Sequence, residues 1–291
     1  MQPKRDLTNQ GIVITGASQG LGATIARACF ANGASLVLSA RNETLLTALQ
    51  QELLSGAFPD QQVSIFPADI SDKGAAEELS AFAARRLPKI HGMVNNAGIN
   101  GPKGLLEDTD PEEWIHTLQV NLIGPMLLCR SLLPLFRAQG SGKIVNLSGG
   151  GATAPMPRFS AYAASKAAIV RFTETIAEET KGTGIAVNAI APGALATQML
   201  EEVLAAGPDK IGASYYQKML KLKHEGGAPI HNAADLCVFL LSAKSNGITG
   251  RLISAVWDPW QTFPERVEQI GSSDVYTLRR IVPKDRNLEW E

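Results

Sequence analysis

Short apolar segments that alternate with helical patterns constrain the fold of this chain more than any other feature. Seven segments of five to seven residues are predominantly apolar and have the length of buried strands: 11–15, 35–40, 62–66, 90–96, 143–148, 184–190 and 250–256. Between them the apolar period becomes that of a helix, at 21–31, 43–54, 73–87, 111–138, 160–180 and 232–243. Strands that are apolar on both faces are typical of a parallel sheet covered by helices on both sides. We therefore expect an α/β fold with a doubly wound parallel sheet of seven strands.

Three regions depart from this regular pattern. Within 111–138, Pro125 and Pro134 are expected to kink or split the helix. Residues 194–230 carry many helix formers interrupted by glycine and proline, which predicts a helical insert with hinges. Residues 257–291 are rich in aromatic side chains, which predicts a C-terminal extension that packs on its own domain or on a partner subunit. We thus expect one domain over 1–256 that includes the insert, followed by this extension.

The composition limits partners and location. The 291 residues include 27 Lys and Arg against 28 Asp and Glu, a formal net charge of −1, so charge favours neither nucleic acid nor an anionic membrane as a partner. No secretory signal is visible, and no apolar run approaches the roughly 18 residues of a membrane span. Three widely spaced cysteines among apolar residues indicate buried reduced thiols, with neither a disulfide scaffold nor a metal site. We expect a cytoplasmic protein.

A glycine-rich loop joins the first strand to the first helix. It reads TGASQGLG at 15–22 and contains Gly16, Gly20 and Gly22. In a dinucleotide site the first glycine permits a tight turn, the second admits a pyrophosphate and the third allows close helix–strand packing. The N–H groups at the helix N-terminus are then free to bind phosphates. The loop predicts a dinucleotide site, and a simple turn is the alternative.

The glycines are spaced Gly-x-x-x-Gly-x-Gly, and a YxxxK motif follows at 162–166. With its motifs in this order, the chain from residue 10 to about 255 resembles the short-chain dehydrogenase/reductase family in its shorter, non-extended branch. The resemblance implies a Rossmann fold, a nicotinamide dinucleotide cofactor, and a homodimer or homotetramer formed through the long helix and the tyrosine-bearing helix. It implies cofactor contacts at Gly16, Ser18, Gln19, Gly20, Leu21, Gly22, Arg41, Asp69, Ile70, Asn96, Ala97, Gly98, Tyr162, Lys166, Pro192, Gly193, Leu195 and Thr197.

The end of the second strand bears on cofactor choice. Relatives that prefer NAD carry a carboxylate there, which binds the adenosine ribose hydroxyls and repels a 2′-phosphate. Here Ala40 stands at that place and Arg41 follows it. A guanidinium pairs with a phosphate or lies on the adenine face, so we expect NADP(H) rather than NAD(H), with Asn42 adding a hydrogen bond. The resemblance implies that Asp69 binds the adenine amino group.

Tyr162 and Lys166 carry the predicted chemistry. They are four residues apart in a helix, so both side chains lie on one face. A nearby ammonium and the positive nicotinamide are expected to lower the phenol pKa from its ordinary value of about 10. Tyr162 then donates a proton to a carbonyl oxygen in reduction and accepts one in oxidation. The resemblance implies that Lys166 reaches the nicotinamide ribose and that Asn121 holds a water beside the lysine.

One position departs from the family. Relatives carry a serine thirteen positions before the tyrosine, where this chain has Gly149 and where Ser148 comes one place early. At a strand end, an offset of one residue points a side chain to the opposite face. Three interpretations stay open. Glycine N–H groups, or Ser148 on a remodelled turn, polarise the carbonyl; substrate hydroxyls supply the missing hydrogen bonds; or the site has drifted toward slower or different chemistry.

The loop 151–160 and the insert at 198–229 are expected to wall the substrate pocket. Arg158 is a candidate ligand for an acidic group, although a lone arginine is more often solvated. Tyr215 and Tyr216 are candidates for stacking on a ring, although packing is the commoner role. The sequence thus predicts an NADP(H)-dependent oxidoreductase for a small-molecule ketone or secondary alcohol. The alternatives are a dinucleotide-binding sensor without turnover and a non-redox enzyme that uses the same tyrosine.

Overall fold

The structure is a computed structural model that describes residues 5–290. Seven parallel strands form one sheet in the order β3-β2-β1-β4-β5-β6-β7, which confirms the predicted doubly wound architecture. The strands are β1 (Gly11–Thr15), β2 (Ser35–Ala40), β3 (Val63–Pro67), β4 (Ile90–Asn95), β5 (Gly142–Leu147), β6 (Ile185–Ala191) and β7 (Leu252–Ser254). The order reverses between β1 and β4, so the carboxyl ends of these strands border the crevice in which open α/β sheets bind ligands.

Helices cover both faces of the sheet. They are α1 (Gly20–Ala31), α2 (Glu43–Ser55), α3 (Ala75–Arg86), α4 (Pro111–Leu118), α5 (Gly124–Gln139), α6 (Ser160–Glu179), α7 (Gln198–Ala205), α8 (Gly207–Ile211), α9 (Ala213–Glu225), α10 (Ile230–Leu241) and α11 (Val267–Gly271). Because strand residues alternate between faces, Ile12 and Ile14 pack under α1, α2 and α10, while Val13 packs under α3, α5 and α6.

The cysteines belong to the two apolar cores, one on each face of the sheet. Cys29, Cys129 and Cys237 are all buried and unpaired, as predicted. Across residues 5–290, no group of three or more His, Cys, Asp or Glu side chains is arranged to hold a metal ion.

A turn of π-helix, Gln119–Ile123, separates α4 from α5 within the predicted helical segment 111–138. The predicted split is confirmed next to Pro125, which stands in the first turn of α5 directly after the π turn. At Pro134 no split occurs, because α5 continues through it. By length and composition, the 29 residues Pro111–Gln139 are apolar enough to cross a membrane. Their buried residues, Leu128 and Phe136 among them, pack in the core beneath α3, α5 and α6, as in the core helix of a globular protein.

The tail packs on its own domain, beside the edge strand β7. The Arg251 guanidinium donates hydrogen bonds of 2.6 to 2.9 Å to three tail carbonyls, those of Ile270, Ser273 and Val275. The N–H group of Leu252 donates to the Tyr276 carbonyl at 2.8 Å. β7 is shorter than the predicted 250–256 because the chain turns at Ser254, whose N–H group donates to the Asp258 carboxylate at 2.6 Å.

Candidate active site

The glycine loop is closed in by backbone. Gly16 and Gly20 have φ angles of +62° and +53°, in the left-handed region that favours glycine. A Cβ atom added at Gly22 would lie 2.1 Å from the Gly16 carbonyl oxygen, and one added at Gly16 would lie 2.7 Å from the Ala97 Cα atom. These contacts match the tight turn and the close helix–strand packing that the motif predicts.

Asn96 and Thr15 brace this loop across the crevice. The Asn96 amide donates hydrogen bonds to the carbonyls of Thr15 and Gly16 at 3.1 and 3.0 Å. The N–H groups of Asn96 and Ala97 donate to the Thr15 hydroxyl at 3.1 and 3.2 Å. Sequence reasoning missed Thr15, whose only signal was its place as the last residue of β1. The two side chains shape the loop that a cofactor would contact.

The N-terminus of α1 is open to an anion. Gln19, the residue before the helix, makes no side-chain cap, and the first turn contains no acidic residue. Gln19 and Gly20 are exposed, while Ser18 and Leu21 are half-buried. The positive end of the helix dipole is therefore available to a phosphate. These groups, together with the space kept clear at the glycines, fit the pyrophosphate of a dinucleotide.

Arg41 and Asp69 lie together after β2 and β3. The guanidinium is 3.7 Å from the carboxylate, and the Arg41 side chain is 66% exposed. The Asp69 carboxylate also accepts hydrogen bonds from the N–H group and the hydroxyl of Ser71, at 2.9 and 2.7 Å. Burial acts to raise the pKa of Asp69, but these hydrogen bonds and the charge of Arg41 outweigh it, so the pKa lies below its usual value. An ionised acceptor and an exposed cation thus lie together after β2 and β3.

Asn42 and Ile70, each next in sequence to a member of this pair, have structural roles. The Asn42 side chain caps α2 by accepting a hydrogen bond from the Leu45 N–H group at 3.0 Å, so the hydrogen bond to the cofactor predicted for Asn42 competes with this cap. Ile70 is 7% exposed. Its carbonyl oxygen would lie 2.9 Å from a Cβ atom at Gly124, at the start of α5. The side chain of Ile70 is therefore part of the core.

Asn121 stands inside the π turn and ties two elements together. Its side chain accepts a hydrogen bond from the Ile99 N–H group at 2.8 Å and donates to the Ile99 carbonyl at 2.9 Å. It also donates to the Ser165 hydroxyl at 3.0 Å, which in turn donates to the Tyr162 carbonyl at 2.7 Å. The side chain therefore positions α6 relative to β4. The water-binding role stays a prediction, and nothing in the helical period revealed the π turn.

Lys166 lies at the carboxyl ends of β4 and β5. Its ammonium donates to the Leu147 carbonyl at 2.9 Å and is 5.6 Å from the centre of the Tyr162 ring. A Cβ atom at Gly98 would lie 3.5 Å from this ammonium and 3.3 Å from the Asn121 side-chain oxygen. The structure thus brings together the three predicted catalytic residues, Tyr162, Lys166 and Asn121, around the end of β4.

Burial decides the pKa values of the tyrosine and the lysine. It raises the pKa of Tyr162 to about 12, with a smaller contribution from Tyr215. It lowers the pKa of Lys166 to about 8, so the ammonium is still charged at neutral pH. The expected acidification of Tyr162 is therefore not a property of the chain by itself. The lysine acts on the tyrosine from a distance, because its direct partner is a backbone carbonyl.

Position 149 faces the tyrosine hydroxyl. A Cβ atom added at Gly149 would lie 2.6 Å from the Tyr162 hydroxyl oxygen. Ser148 is buried, and its hydroxyl donates to the Lys166 carbonyl at 3.0 Å. The side chain of Ser148 and a side chain at position 149 therefore point in different directions, as the offset of one residue predicts. The candidate role of Ser148 as a carbonyl donor is wrong for this structure, because its hydroxyl bonds the backbone of α6.

The segment after β6 approaches the glycine loop. Gly193 has a φ of +88°, and a Cβ atom there would lie 2.7 Å from the Val256 side chain. Leu195 forms an isolated bridge with Gly227, which joins the two ends of the insert. The Thr197 side chain would be 3.6 Å from a Cβ atom at Gly20. The half-buried Pro192 begins the segment, and these predicted cofactor contacts thus lie on the crevice.

The insert covers the tyrosine with an apolar cluster. The buried members are Phe159, Leu200, Val203, Ile211 and Met219, and the half-buried Tyr162, Tyr215 and Tyr216 pack against them. Arg158 is not a free cation, because its guanidinium donates to the carbonyls of Asp209 and Lys210 at 3.0 and 3.2 Å. Sequence reasoning missed this attachment of α8 and the Asn100 side chain, which donates to the Met199 carbonyl at 3.0 Å.

Comparison with known proteins agrees with this geometry. The short chain dehydrogenase family profile matches residues 10–207. Levodione reductase of Leifsonia aquatica is 32% identical over 255 residues, which cover 86% of this chain and 94% of that protein. The short chain dehydrogenase tazN of Aspergillus terreus is 30% identical over 257 residues, and the chain spans about half (53%) of its length.

Solved structures give the same result. A crystal structure of levodione reductase has a TM-score of 0.78 and 30% sequence identity, and the match covers 88% of this chain and 99% of that one. A gluconate 5-dehydrogenase from Burkholderia cenocepacia, in complex with NADP and tartrate, has a TM-score of 0.75 and 25% identity over 86% of this chain and 95% of that one. This chain therefore belongs to the short-chain dehydrogenase/reductase family and is an oxidoreductase of that family.

Proposed function

We propose that the protein is an NADP(H)-dependent oxidoreductase that interconverts a small-molecule ketone and a secondary alcohol, with Tyr162 as the general acid and base. The proposal rests chiefly on one observation: Tyr162 and Lys166 share a face of α6 beside Gly98, at the end of the strand that borders the crevice. A proton donor and an ammonium thereby adjoin a cradle that fits a dinucleotide.

The chain supplies the proton. When bound, the reduced nicotinamide supplies a hydride to the carbonyl carbon and is itself oxidised. The carbonyl π electrons move to oxygen, and the Tyr162 O–H bond breaks to give that oxygen its proton. Lys166, with a pKa of about 8, stabilises the resulting phenolate. Asn121 holds the π turn and α6 together through the Ser165 hydroxyl, at 3.0 Å. Oxidation of the alcohol runs these steps in reverse.

The preference for NADP(H) rests on Arg41. Its guanidinium follows Ala40, so no carboxylate stands at the end of β2 to repel a 2′-phosphate. The side chain is 66% exposed and its partner Asp69 is 3.7 Å away, so it is free to turn toward a phosphate. The gluconate 5-dehydrogenase of similar fold was solved with NADP, which supports the same choice.

The substrate, the location and the assembly belong to the same proposal. The apolar cluster over Tyr162 favours a ring-bearing ketone such as levodione, on which a relative is named. Three buried unpaired thiols favour the reducing cytoplasm. A groove between α5 and α6, lined by Met126, Leu133, Phe172 and Ile176, favours a homodimer or homotetramer.

Turnover is tested by mixing the purified protein with NADPH and either levodione or cyclohexanone and following the loss of NADPH absorbance. Tyr162→Phe should lower kcat by about 10²- to 10⁴-fold, the usual contribution of a general acid. Its dissociation constant for NADPH, measured by fluorescence titration, should stay near the wild-type value. Tyr276→Phe, which removes a hydroxyl in the tail, serves as the matched control and should keep full activity.

The outcomes separate the alternatives. Tight NADPH binding with no consumption of either ketone would favour a sensor without turnover. If Tyr162→Phe has the same kcat as wild type, this tyrosine is not the general acid and the proposed mechanism is refuted. A product formed without any change in NADPH would indicate the non-redox alternative.

A further inference from the structure

The strand side of the site provides no side-chain donor for a substrate carbonyl. Gly149 has no side chain, and the space in front of it is taken by the Tyr162 hydroxyl, 2.6 Å from where a Cβ atom would be. The adjacent Ser148 hydroxyl donates to the Lys166 carbonyl at 3.0 Å. A carbonyl oxygen that becomes an alkoxide gains from two donors rather than one. The strand side therefore leaves a place for a donor side chain from another element.

Helix α9 brings a second phenol to the tyrosine. Tyr215, in the first turn of α9, stacks on Phe159 with ring centres 5.3 Å apart and an angle of 57° between ring planes. Phe159 is the residue directly before α6, and its buried side chain belongs to the cluster against which Tyr162 packs. Both tyrosines pack against the same buried cluster that includes Phe159. The insert thus adds two phenols to this cluster, Tyr215 and Tyr216, and Tyr215 is the one that stacks on Phe159.

Helix α8, which directly precedes α9, is held by the Arg158 side chain. The Arg158 guanidinium donates to the carbonyls of Asp209 and Lys210, which end α8. The Arg158 carbonyl accepts a hydrogen bond from the Gly104 N–H group at 3.0 Å. The insert is therefore anchored to the residues that immediately precede the tyrosine-bearing helix. This anchoring restricts where the Tyr215 ring lies relative to Tyr162.

We infer that Tyr215 is a catalytic residue whose hydroxyl donates a hydrogen bond to the substrate carbonyl oxygen, in the role that position 149 leaves open. This inference rests on the proposed function. Tyr215 keeps its proton throughout: it polarises the carbonyl, and the proton that forms the alcohol comes from Tyr162. Tyr215 packs against an apolar cluster that includes Phe159, Leu200 and Met219, which favours a carbonyl compound with an apolar ring.

The charge state of the two phenols agrees with these roles. Burial raises the pKa of Tyr215 above its ordinary value, as it raises the pKa of Tyr162 to about 12. Both hydroxyls are therefore protonated at neutral pH and able to donate. In an apolar surrounding a neutral donor is stronger than in water, because the local dielectric is low.

Tyr215→Phe and Tyr216→Phe form a matched pair, because each removes one hydroxyl from adjacent residues of α9 and keeps the ring. With levodione and cyclohexanone as the substrates and saturating NADPH, Tyr215→Phe should lower kcat by about 10²-fold, as loss of one oxyanion donor does. Tyr216→Phe should change kcat by less than about 2-fold. Both variants should keep the wild-type dissociation constant for NADPH and the wild-type Tm, which a packing defect would not.

The results separate this inference from the proposed function. If Tyr162→Phe is inactive while Tyr215→Phe matches Tyr216→Phe, the role of Tyr215 is refuted and the oxidoreductase mechanism stands. If the wild-type protein consumes no NADPH with either ketone, the proposed function fails and the inference with it. A fall in Tm for Tyr215→Phe that accounts for its slower turnover would assign the residue to packing alone.

Discussion

The two halves of the crevice are built in different ways. On the β1–β4 side, the volume that a side chain would need is occupied by backbone: the Gly16 carbonyl oxygen is 2.1 Å from a Cβ atom at Gly22. On the β5–β6 side, the corresponding volume at Gly149 is occupied by the tip of one side chain, the Tyr162 hydroxyl. A backbone contact cannot move without unfolding its element, whereas a side-chain tip adjusts by rotation. The first half therefore fixes the ligand geometry, and the second half tolerates change.

Gly22→Ala tests the rigid half and should have the largest effect. The added methyl group would displace the glycine loop, and such overpacking costs about 3 kcal/mol. That corresponds to a fall in Tm of about 6–12 °C for a domain of this size. The displaced loop should also bind NADPH more weakly, by about 10²-fold for a loss of about 3 kcal/mol in binding free energy. Gly271→Ala, where a Cβ atom meets nothing within 4 Å, is the control. Normal NADPH binding by Gly22→Ala would refute the claim of a rigid cradle.

Gly149→Ala tests the adjustable half. The protein should fold and bind NADPH normally, because only the tip of Tyr162 has to move. The displaced hydroxyl should lower kcat by about 10- to 100-fold, since misplacement of a reacting group by about 1 Å is costly. Gly150→Ala is the matched control, because a Cβ atom there meets nothing within 4 Å. If the two variants were equally active in the NADPH assay, the contact at position 149 would have no catalytic meaning.

Arg41→Ala examines cofactor choice within the rigid half. Removal of an exposed guanidinium should weaken NADPH by about 10-fold, the value of one partly screened charge-assisted hydrogen bond. NADH, which lacks the 2′-phosphate, should lose far less. Arg130→Ala, on the exposed side of α5, is the control for a general charge effect. Equal losses for the two cofactors, measured by fluorescence titration, would contradict the assignment of Arg41.

Lys166→Met tests the residue that lies between the two halves. Its expected effect, on the free energy of unfolding at each pH, is the smallest of the four. The folded pKa of Lys166 is lowered to about 8, against about 10.4 in the unfolded chain. Between these values the unfolded state binds more protons, so this lysine makes the free energy of unfolding rise with pH, by about 1 kcal/mol per pH unit.

The test of that prediction is a difference between proteins. Relative to wild type, Lys166→Met should lose stability as the pH rises from 8 to 10, in denaturant titrations at each pH. Buried thiols and phenols act in the opposite direction with pH, but they are common to both proteins and cancel in the difference. Lys218→Met, which removes a lysine on the exposed side of α9, is the control variant in the same titrations. A constant difference for Lys166→Met would mean that its ammonium is not desolvated.

The sequence predicts those features that leave a local pattern. Strand and helix periods give the seven strands and their parallel arrangement, and motif spacing places Tyr162 and Lys166 on one face of α6. What it misses depends on contacts between distant segments. The π turn at Gln119–Ile123 is hidden because the helical period runs on through it. The brace from Asn96 to Thr15 and the attachment of Arg158 to α8 are side-chain to backbone bonds, which no periodicity reports.

The short last strand has a consequence for how copies of this protein meet. A sheet edge offers unpaired N–H and carbonyl groups, to which the edge of another sheet can add. Here the tail lies beside β7. The Tyr276 carbonyl accepts a hydrogen bond from the Leu252 N–H group, and the Arg251 guanidinium donates to three tail carbonyls. That flank of the molecule is therefore sealed by its own chain, and a continuous intermolecular sheet cannot grow from it while Arg251 keeps the tail in place.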